Sequence, residues 1–231
     1  MNDYLLPTSD VTQSASELFI DLMHATLKEK EQFVVVLSGG STPLKLYEKL
    51  LAHRDLPWDK VLFFFGDERF VPHDHADSNY KAAREKFLEL LNISQEHIFP
   101  WPFADNIGDA AKQYAETIKN TLGESPLFDL TFLGLGDDAH TASLFPGTGV
   151  VFDEGLTTTC KPANAKHERL TLTAEALSKS RTVVFLVSGE AKRKALSETR
   201  AGKGEFDRYP ARAIKAKETL YWLTDITGEG I

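Results

Sequence analysis

The stretch Phe33-Val34-Val35-Val36-Leu37 runs directly into Ser38-Gly39-Gly40-Ser41-Thr42-Pro43. A continuous apolar, β-branched run without the alternation of a half-exposed strand fits a strand covered by helices on both faces. The glycines predict a tight turn. Ser41 or Thr42 can cap a following helix, and Pro43 can take its first position, where a preset φ helps and a missing N–H costs nothing. Strand, glycine turn and helix in that order are one step of an α/β fold.

The same grammar repeats on both sides. Upstream, Ala15, Leu18, Phe19, Leu22, Met23 and Thr26 recur at helical spacing and predict an amphipathic first helix. Downstream, Val61 to Phe65 predicts a strand followed by a helix from Ser78 to about Leu91. Ile98-Phe99 precedes a helix near Asp109 to Leu122. Strands are then expected at Phe128 to Leu133, Arg169 to Thr173, Val183 to Val187 and Leu220 to Leu223, with a helix from Glu190 to about Thr199. The alternation predicts a single-domain, Rossmann-like α/β fold, a mostly parallel sheet with helices on both faces, spanning residues 1–231. Thr148 to His167 and Gly202 to Pro210 match no element and read as loops flanking a site.

Composition narrows the function classes. The chain has 231 residues, 42% hydrophobic and 26% charged, and 26 basic against 34 acidic residues leave a formal charge of −8. Such a field repels nucleic acid and anionic lipid, so an anionic ligand must be held by a few local donors, which favours a small molecule. Each apolar run is strand-sized, far below the roughly 18 residues that span a bilayer. The single cysteine, Cys160, cannot form an intrachain disulfide, and the start MNDYLLPTSD lacks the basic and apolar regions of a secretory signal. Cytoplasm is the expected compartment. The triple phenylalanine Phe63 to Phe65 reads as core, not as a stacking platform for bases.

Chemistry gathers in four polar, glycine-bearing segments, each directly after an expected strand: Ser38 to Pro43, Gly66-Asp67-Glu68-Arg69, Gly134 to His140, and Ser188-Gly189-Glu190-Ala191-Lys192. In an open parallel sheet ligands bind outside the carboxyl ends of the strands, so the four segments should meet at one edge. Gly39, Gly40, Ser41 and Thr42 offer backbone and hydroxyl donors at a helix N-terminus, suited to phosphate or carboxylate, or else an ordinary capped turn. No Lys-Ser/Thr pair makes this a Walker loop, and Pro43 stands where a nucleophile elbow needs glycine. Gly134, Gly136 and Ala139 formally fit a dinucleotide fingerprint, but Asp137 and Asp138 would lie against the pyrophosphate. His140 follows Asp138 by two residues, and a carboxylate beside an imidazole can orient it as a general base. Asp67, Glu68 and Arg69 bind a phosphate through the guanidinium or form a surface ion pair. Lys192, with Arg193 and Lys194, offers a further anion contact or a solvated basic face. His73 and His75 are conceivable metal ligands, yet no further His, Cys or Asp completes a set in the sequence, so a solvated loop is expected and no metal.

These four segments, with ERLTLT at 168–173 as a fifth, together resemble the 6-phosphogluconolactonase family, within the wider group that contains glucosamine-6-phosphate deaminases. The carriers are SGGSTP at 38–43, GDERFVP at 66–72 with Ser78-Asn79, LGLGDDAHTASLFPG at 133–147, ERLTLT at 168–173, and SGEAK at 188–192. Arg69 stands where the deaminases tend to carry tyrosine, and Ser143-Leu144-Phe145-Pro146 replaces their Phe-Asn-Glu-Pro, which favours the lactonase branch. One departure concerns the loop usually read Gly-Pro-Asp-Gly-His, here Gly136-Asp137-Asp138-Ala139-His140. A family glycine with positive φ would make Ala139 cost on the order of 1 kcal/mol.

The resemblance implies hydrolysis of 6-phosphoglucono-δ-lactone in the oxidative pentose phosphate pathway, with no cofactor and no covalent nucleophile. It implies His140 as general base, Asp138 or Asp67 orienting it, and Arg69, Lys192 and Arg169 on the phosphate. Gly39, Gly40, Ser41 and Thr42 would donate to phosphate or sugar. The expected partner is a small sugar-phosphate lactone; no nucleic acid and no membrane are expected, and the oligomeric state is open. The rival readings are a glucosamine-6-phosphate deaminase/isomerase and a non-catalytic sugar-phosphate sensor, for which no DNA-binding appendage is visible.

Overall fold

The computed structural model describes residues 2–123, 127–163 and 165–228. Its chain order is β1 (Asn2–Pro7), α1 (Val11–Thr26), β2 (Phe33–Leu37), α2 (Ser41–Leu50), β3 (Val61–Phe65), β4 (Asp67–Arg69), α3 (Asn79–Ala83), β5 (Ile98–Phe99), α4 (Ile107–Leu122), β6 (Leu130–Gly134), β7 (Thr157–Cys160), β8 (Arg169–Leu172), α5 (Ala174–Leu177), β9 (Thr182–Val187), α6 (Arg193–Ala201) and β10 (Thr219–Thr224). Seven strands form one sheet in the order β1-β10-β9-β6-β2-β3-β5, and every neighbouring pair is parallel. Every residue of β2, β3 and β9 is buried, as strands covered on both faces must be.

The chain leaves β2 toward β3 and β5, then crosses back to place β6 on the other flank of β2. The connections after β2 and β6 therefore run apart and open a crevice at the carboxyl ends of these neighbours. The three phenylalanines of β3 are at most 1% exposed, which makes them core. Phe64 stacks on Phe99 at 4.6 Å, and Phe63 meets Phe87 edge-on. The end of β3 is also fixed by polar groups: Tyr114 Oη accepts from Phe65 N–H at 2.8 Å, and Trp101 Nε1 donates to Phe65 O at 2.9 Å. Each buried Phe contributes about 1.5–3 kcal/mol, so the sheet edge that launches residues 66–69 rests on a stiff base.

The structure corrects several expectations. Gly40, with φ +104°, is the N-cap of α2; Ser41 is the first helical residue and Pro43 the third. Neither Ser41 nor Thr42 caps, because the required φ is one that only glycine adopts without strain. The strand at Arg169 lies outside the main sheet, pairing antiparallel with both β4 and β7 in a three-stranded sheet against which α4 packs. The helix from Ser78 to Leu91 is shorter: α3 ends at Ala83 and passes into a wider π turn at Arg84–Leu88. β1 is a largely exposed edge strand whose residues show no buried face to read. Thr148 to His167 holds a 3-10 turn at Val150–Phe152 and β7, with residue 164 outside the described residues. Neither this segment nor Gly202 to Pro210 lines the main cleft. They are instead tied together away from it through Asp207, which accepts from Gly147 and Gly149 N–H.

Candidate active site

A cleft of about 250 Å³ opens at the carboxyl ends of β2, β3, β6 and β9. All four glycine-bearing segments reach it, through Ser38 to Pro43, Asp67 and Arg69, Gly134 to Gly136 with His140, and Ser188 with Lys192. The first wall is the turn into α2. Buried Tyr47 of that helix locks it, donating to Ser38 O at 2.7 Å and accepting from Ser38 N–H at 3.1 Å. The first-turn N–H groups of α2 have no carbonyl within the helix to bind, and the dipole there favours an anion. At Gly39 a β-carbon would fall 2.0 Å from Asn79 Oδ1, so a side chain is excluded by close approach.

Strand periodicity sorts the second wall. In β4, Asp67 and Arg69 share one face and line the cleft, while Glu68 points the other way and is 3% exposed. Asp67 Oδ2 accepts from Ser143 Oγ at 2.7 Å, and Asn79 Nδ2 donates to Asp67 O at 3.1 Å. Glu68 accepts from the N–H groups of Arg69, Asn79 and Tyr80 and from Ser78 Oγ. Its carboxylate thus pins the start of α3 under the cleft, although burial pushes its pKa above the usual range. Arg69 Nη1 donates to Asp77 O at 2.7 Å.

The third wall carries the imidazole. After β6 the chain makes a closed turn, with Gly136 N–H donating to His140 O at 2.8 Å and Ala139 N–H to Gly136 O at 3.0 Å. No helix starts there, so the formal dinucleotide fingerprint has no helix N-terminus to present to a pyrophosphate. Asp138 Oδ1 lies 2.6 Å from His140 Nδ1 and also accepts His140 N–H at 3.1 Å. The hydrogen bond from His140 holds the Asp138 carboxyl down at about 2. A carboxylate only accepts, so Nδ1 carries the proton and the neutral ring keeps its lone pair on Nε2. Phe145 stacks on a face of the imidazole at 4.4 Å. Of the two carboxylates the sequence offers for orienting His140, Asp138 is the one on the ring; Asp67 is engaged by Ser143.

Ala139 has φ +66° and is 1% exposed, so the loop keeps a left-handed residue where the sequence departs from the resemblance. Lys192 lines the cleft with Nζ 2.6 Å from Asp137 Oδ1, whereas Arg193 pairs with Glu190 and Lys194 approaches Glu198. Arg169 is the cross-strand partner of Arg69 but does not line the cleft. Burial, and after it the like charge of Arg69, lower the pKa of Arg169. Sequence reasoning missed the parts played by Asn79, Ser143, Glu68 and Phe145, whose partners lie far along the chain or across a loop. It also missed a trio away from the cleft: His75, Asp77 and His167 approach one another, while His73 is bound to Trp101 O.

Comparison with known proteins accords with this geometry. The family model of glucosamine-6-phosphate isomerases and 6-phosphogluconolactonases matches residues 7–222. The chain belongs to this family. Among its 6-phosphogluconolactonase members, that of Synechocystis sp. is 43% identical over 209 residues, covering 86% of this chain and 84% of the relative. The crystal structure of the Thermotoga maritima 6-phosphogluconolactonase aligns with TM-score 0.86 at 32% identity, over 96% of this chain and 98% of that one. A monomeric glucosamine-6-phosphate deaminase also superposes, with TM-score 0.81 over 97% of both chains, but at 21% identity it shares the fold alone. Fold therefore does not separate lactonase from deaminase within the family; side chains must.

Proposed function

We propose that this protein hydrolyses 6-phosphoglucono-δ-lactone to 6-phosphogluconate, the lactonase step of the oxidative pentose phosphate pathway. The observation that carries the reading is the Asp138–His140 pair, with Nδ1 engaged, in a cleft that also holds the N-terminus of α2, Arg69 and Lys192. Nε2 of His140 removes a proton from water as its oxygen attacks the lactone carbonyl. The tetrahedral intermediate collapses by breaking the bond to the ring oxygen, which receives the proton from the imidazolium. Asp138 stabilises that imidazolium and keeps the ring in place. General-base assistance of this kind supplies roughly 10²–10⁴-fold.

Arg69 and Lys192 are assigned to the phosphate, with Arg169 reinforcing the field behind Arg69. Gly39, Gly40, Ser41 and Thr42 supply N–H and hydroxyl donors to phosphate or sugar, and Asp67, held by Ser143, faces the sugar. No cofactor has a part in this scheme. Among the described residues no helix is long and apolar enough to cross a membrane. The working compartment in this reading is the cytoplasm.

The test is hydrolysis of freshly generated 6-phosphoglucono-δ-lactone, with product coupled to 6-phosphogluconate dehydrogenase and the spontaneous rate subtracted. A large protein-dependent increment is expected. No increment, with ammonia released from glucosamine 6-phosphate, would replace the lactonase by the deaminase. Ligand binding without turnover of either compound would leave a sensor.

A further inference from the structure

His75 and Asp77 lie in the loop before α3, and His167 lies just before β8, 90 positions beyond Asp77, yet one donor atom from each falls within 4.8 Å of the others. Asp77 Oδ2 is 2.7 Å from His167 Nε2 and 3.9 Å from His75 Nδ1. A tetrahedral Zn²⁺ with bonds of about 2.0–2.1 Å sets its ligand atoms about 3.4 Å apart. The observed spacings bracket that value. The side chains are 36%, 39% and 17% exposed for His75, Asp77 and His167, which leaves room for small rotations and for a water on the open side.

The donor chemistry is selective. Two imidazole nitrogens and one carboxylate suit zinc-class ions, whereas Mg²⁺ and Ca²⁺ take oxygen ligands. The Asp77 N–H donates to His75 Nδ1 at 3.0 Å, which sets the lone pair on the nitrogen that faces Asp77 Oδ2. An ion would take over that lone pair, and at His167 it would displace the proton that Nε2 donates to Asp77 Oδ2, moving the imidazole to its other tautomer or releasing the proton to water. Lys166 Nζ holds the same carboxylate oxygen at 2.9 Å, but its side chain is 73% exposed and such surface pairs are readily exchanged.

The trio also sits behind the paired arginines. Arg69 Nη1 donates to Asp77 O at 2.7 Å, and Arg169 Nη1 to His167 O at 3.3 Å. Each guanidinium is thus held by the backbone of one member of the trio. We infer that His75, Asp77 and His167 form a binding site for one zinc-class divalent cation, completed by water, which clamps together the two segments that hold Arg69 and Arg169. The ion lies outside the reacting centre, so it acts on substrate affinity and not on the chemical step. That consequence rests on the phosphate reading of the arginines; ion binding itself does not.

Equilibrium dialysis of the full chain against Zn²⁺, with Co²⁺ absorption as a reporter of tetrahedral geometry, tests the site without any turnover. One ion per chain is expected, with the visible Co²⁺ band of a tetrahedral site and a Zn²⁺-dependent rise in Tm. Affinity should fall at least tenfold in His167→Gln and in His75→Gln, each checked for folding by circular dichroism, and stay unchanged in His24→Gln and Cys160→Ser. Zn²⁺ should shift KM for the phosphorylated lactone while leaving kcat and the KM for glucono-δ-lactone unchanged. Wild-type affinity in both histidine variants, or loss of binding in Cys160→Ser, overturns the site. Zn²⁺ binding with no change in KM overturns the clamp. Absence of lactonase activity would instead count against the proposed function, since dialysis still reads the ion.

Discussion

His140 is fixed by Asp138 on Nδ1, by Phe145 on its face and by the absence of a side chain at Gly136, where a β-carbon would lie 2.0 Å from Nδ1. His140→Ala should lower kcat at least about a hundredfold with the fold intact by circular dichroism. Gly136→Ala should give a comparable loss, because the methyl group must displace the ring; kcat near the wild-type value in either variant would remove His140 from its role. At the neighbouring residue, Ala139→Gly relieves a left-handed φ of +66°. It should raise stability by up to about 1 kcal/mol in urea unfolding. The depressed pKa of Asp138 carries a pH signature. A carboxyl at about 2 in the folded chain, against the usual 3.8, stabilises the native state above about pH 4, and that contribution fades as pH falls toward 2. The stability gap between wild type and Asp138→Asn should therefore be full at neutral pH and close across that window; a gap independent of pH would show that the hydrogen bond to the ionised carboxylate contributes nothing.

At the scale of elements, β4 has three residues, yet its alternation decides which of Asp67, Glu68 and Arg69 meets the cleft. The sequence places all three after an apolar strand and predicts a loop, since a three-residue polar strand has no hydrophobic period. Glu68 is the hidden member. Its four donors belong to Arg69 and to the entry of α3, so Glu68→Ala leaves buried N–H groups unpaired. We expect a loss of about 3 kcal/mol or more in unfolding free energy, together with a raised KM as the Arg69 segment loosens; a near-neutral effect on both would refute this anchoring. The glycine turn before α2 was legible because Gly39-Gly40 follows an unmistakable strand. Its cap was not, because Ser41 and Thr42 are better capping residues by preference and only the backbone conformation at Gly40 overrides them. β7 and β8 remained obscure as a pair, since antiparallel partners outside the main sheet obey no βαβ grammar.

Across the whole molecule, a net charge of −8 opposes an anionic substrate, so attraction has to come from short-range donors at the sheet edge. Arg69→Ala and Lys192→Ala should each raise KM for the phosphorylated lactone far more than for glucono-δ-lactone, because only the former has a phosphate contact to lose. Equal effects on both substrates would move these side chains away from the phosphate. The α/β class, the burial of the central strands and the four segments that could carry chemistry are legible in the chain alone, because hydrophobic period and glycine turns are local properties. The chain also places Asp138 two residues from His140, a separation that a turn can close. Folding alone reveals that β6 flanks β2 and so opens the crevice, that Asp67 answers to Ser143 across 76 positions, and that His167 joins His75 and Asp77. Those are contacts between segments far apart in sequence, set by strand order and packing, and no local pattern encodes which distant segment a strand will lie beside.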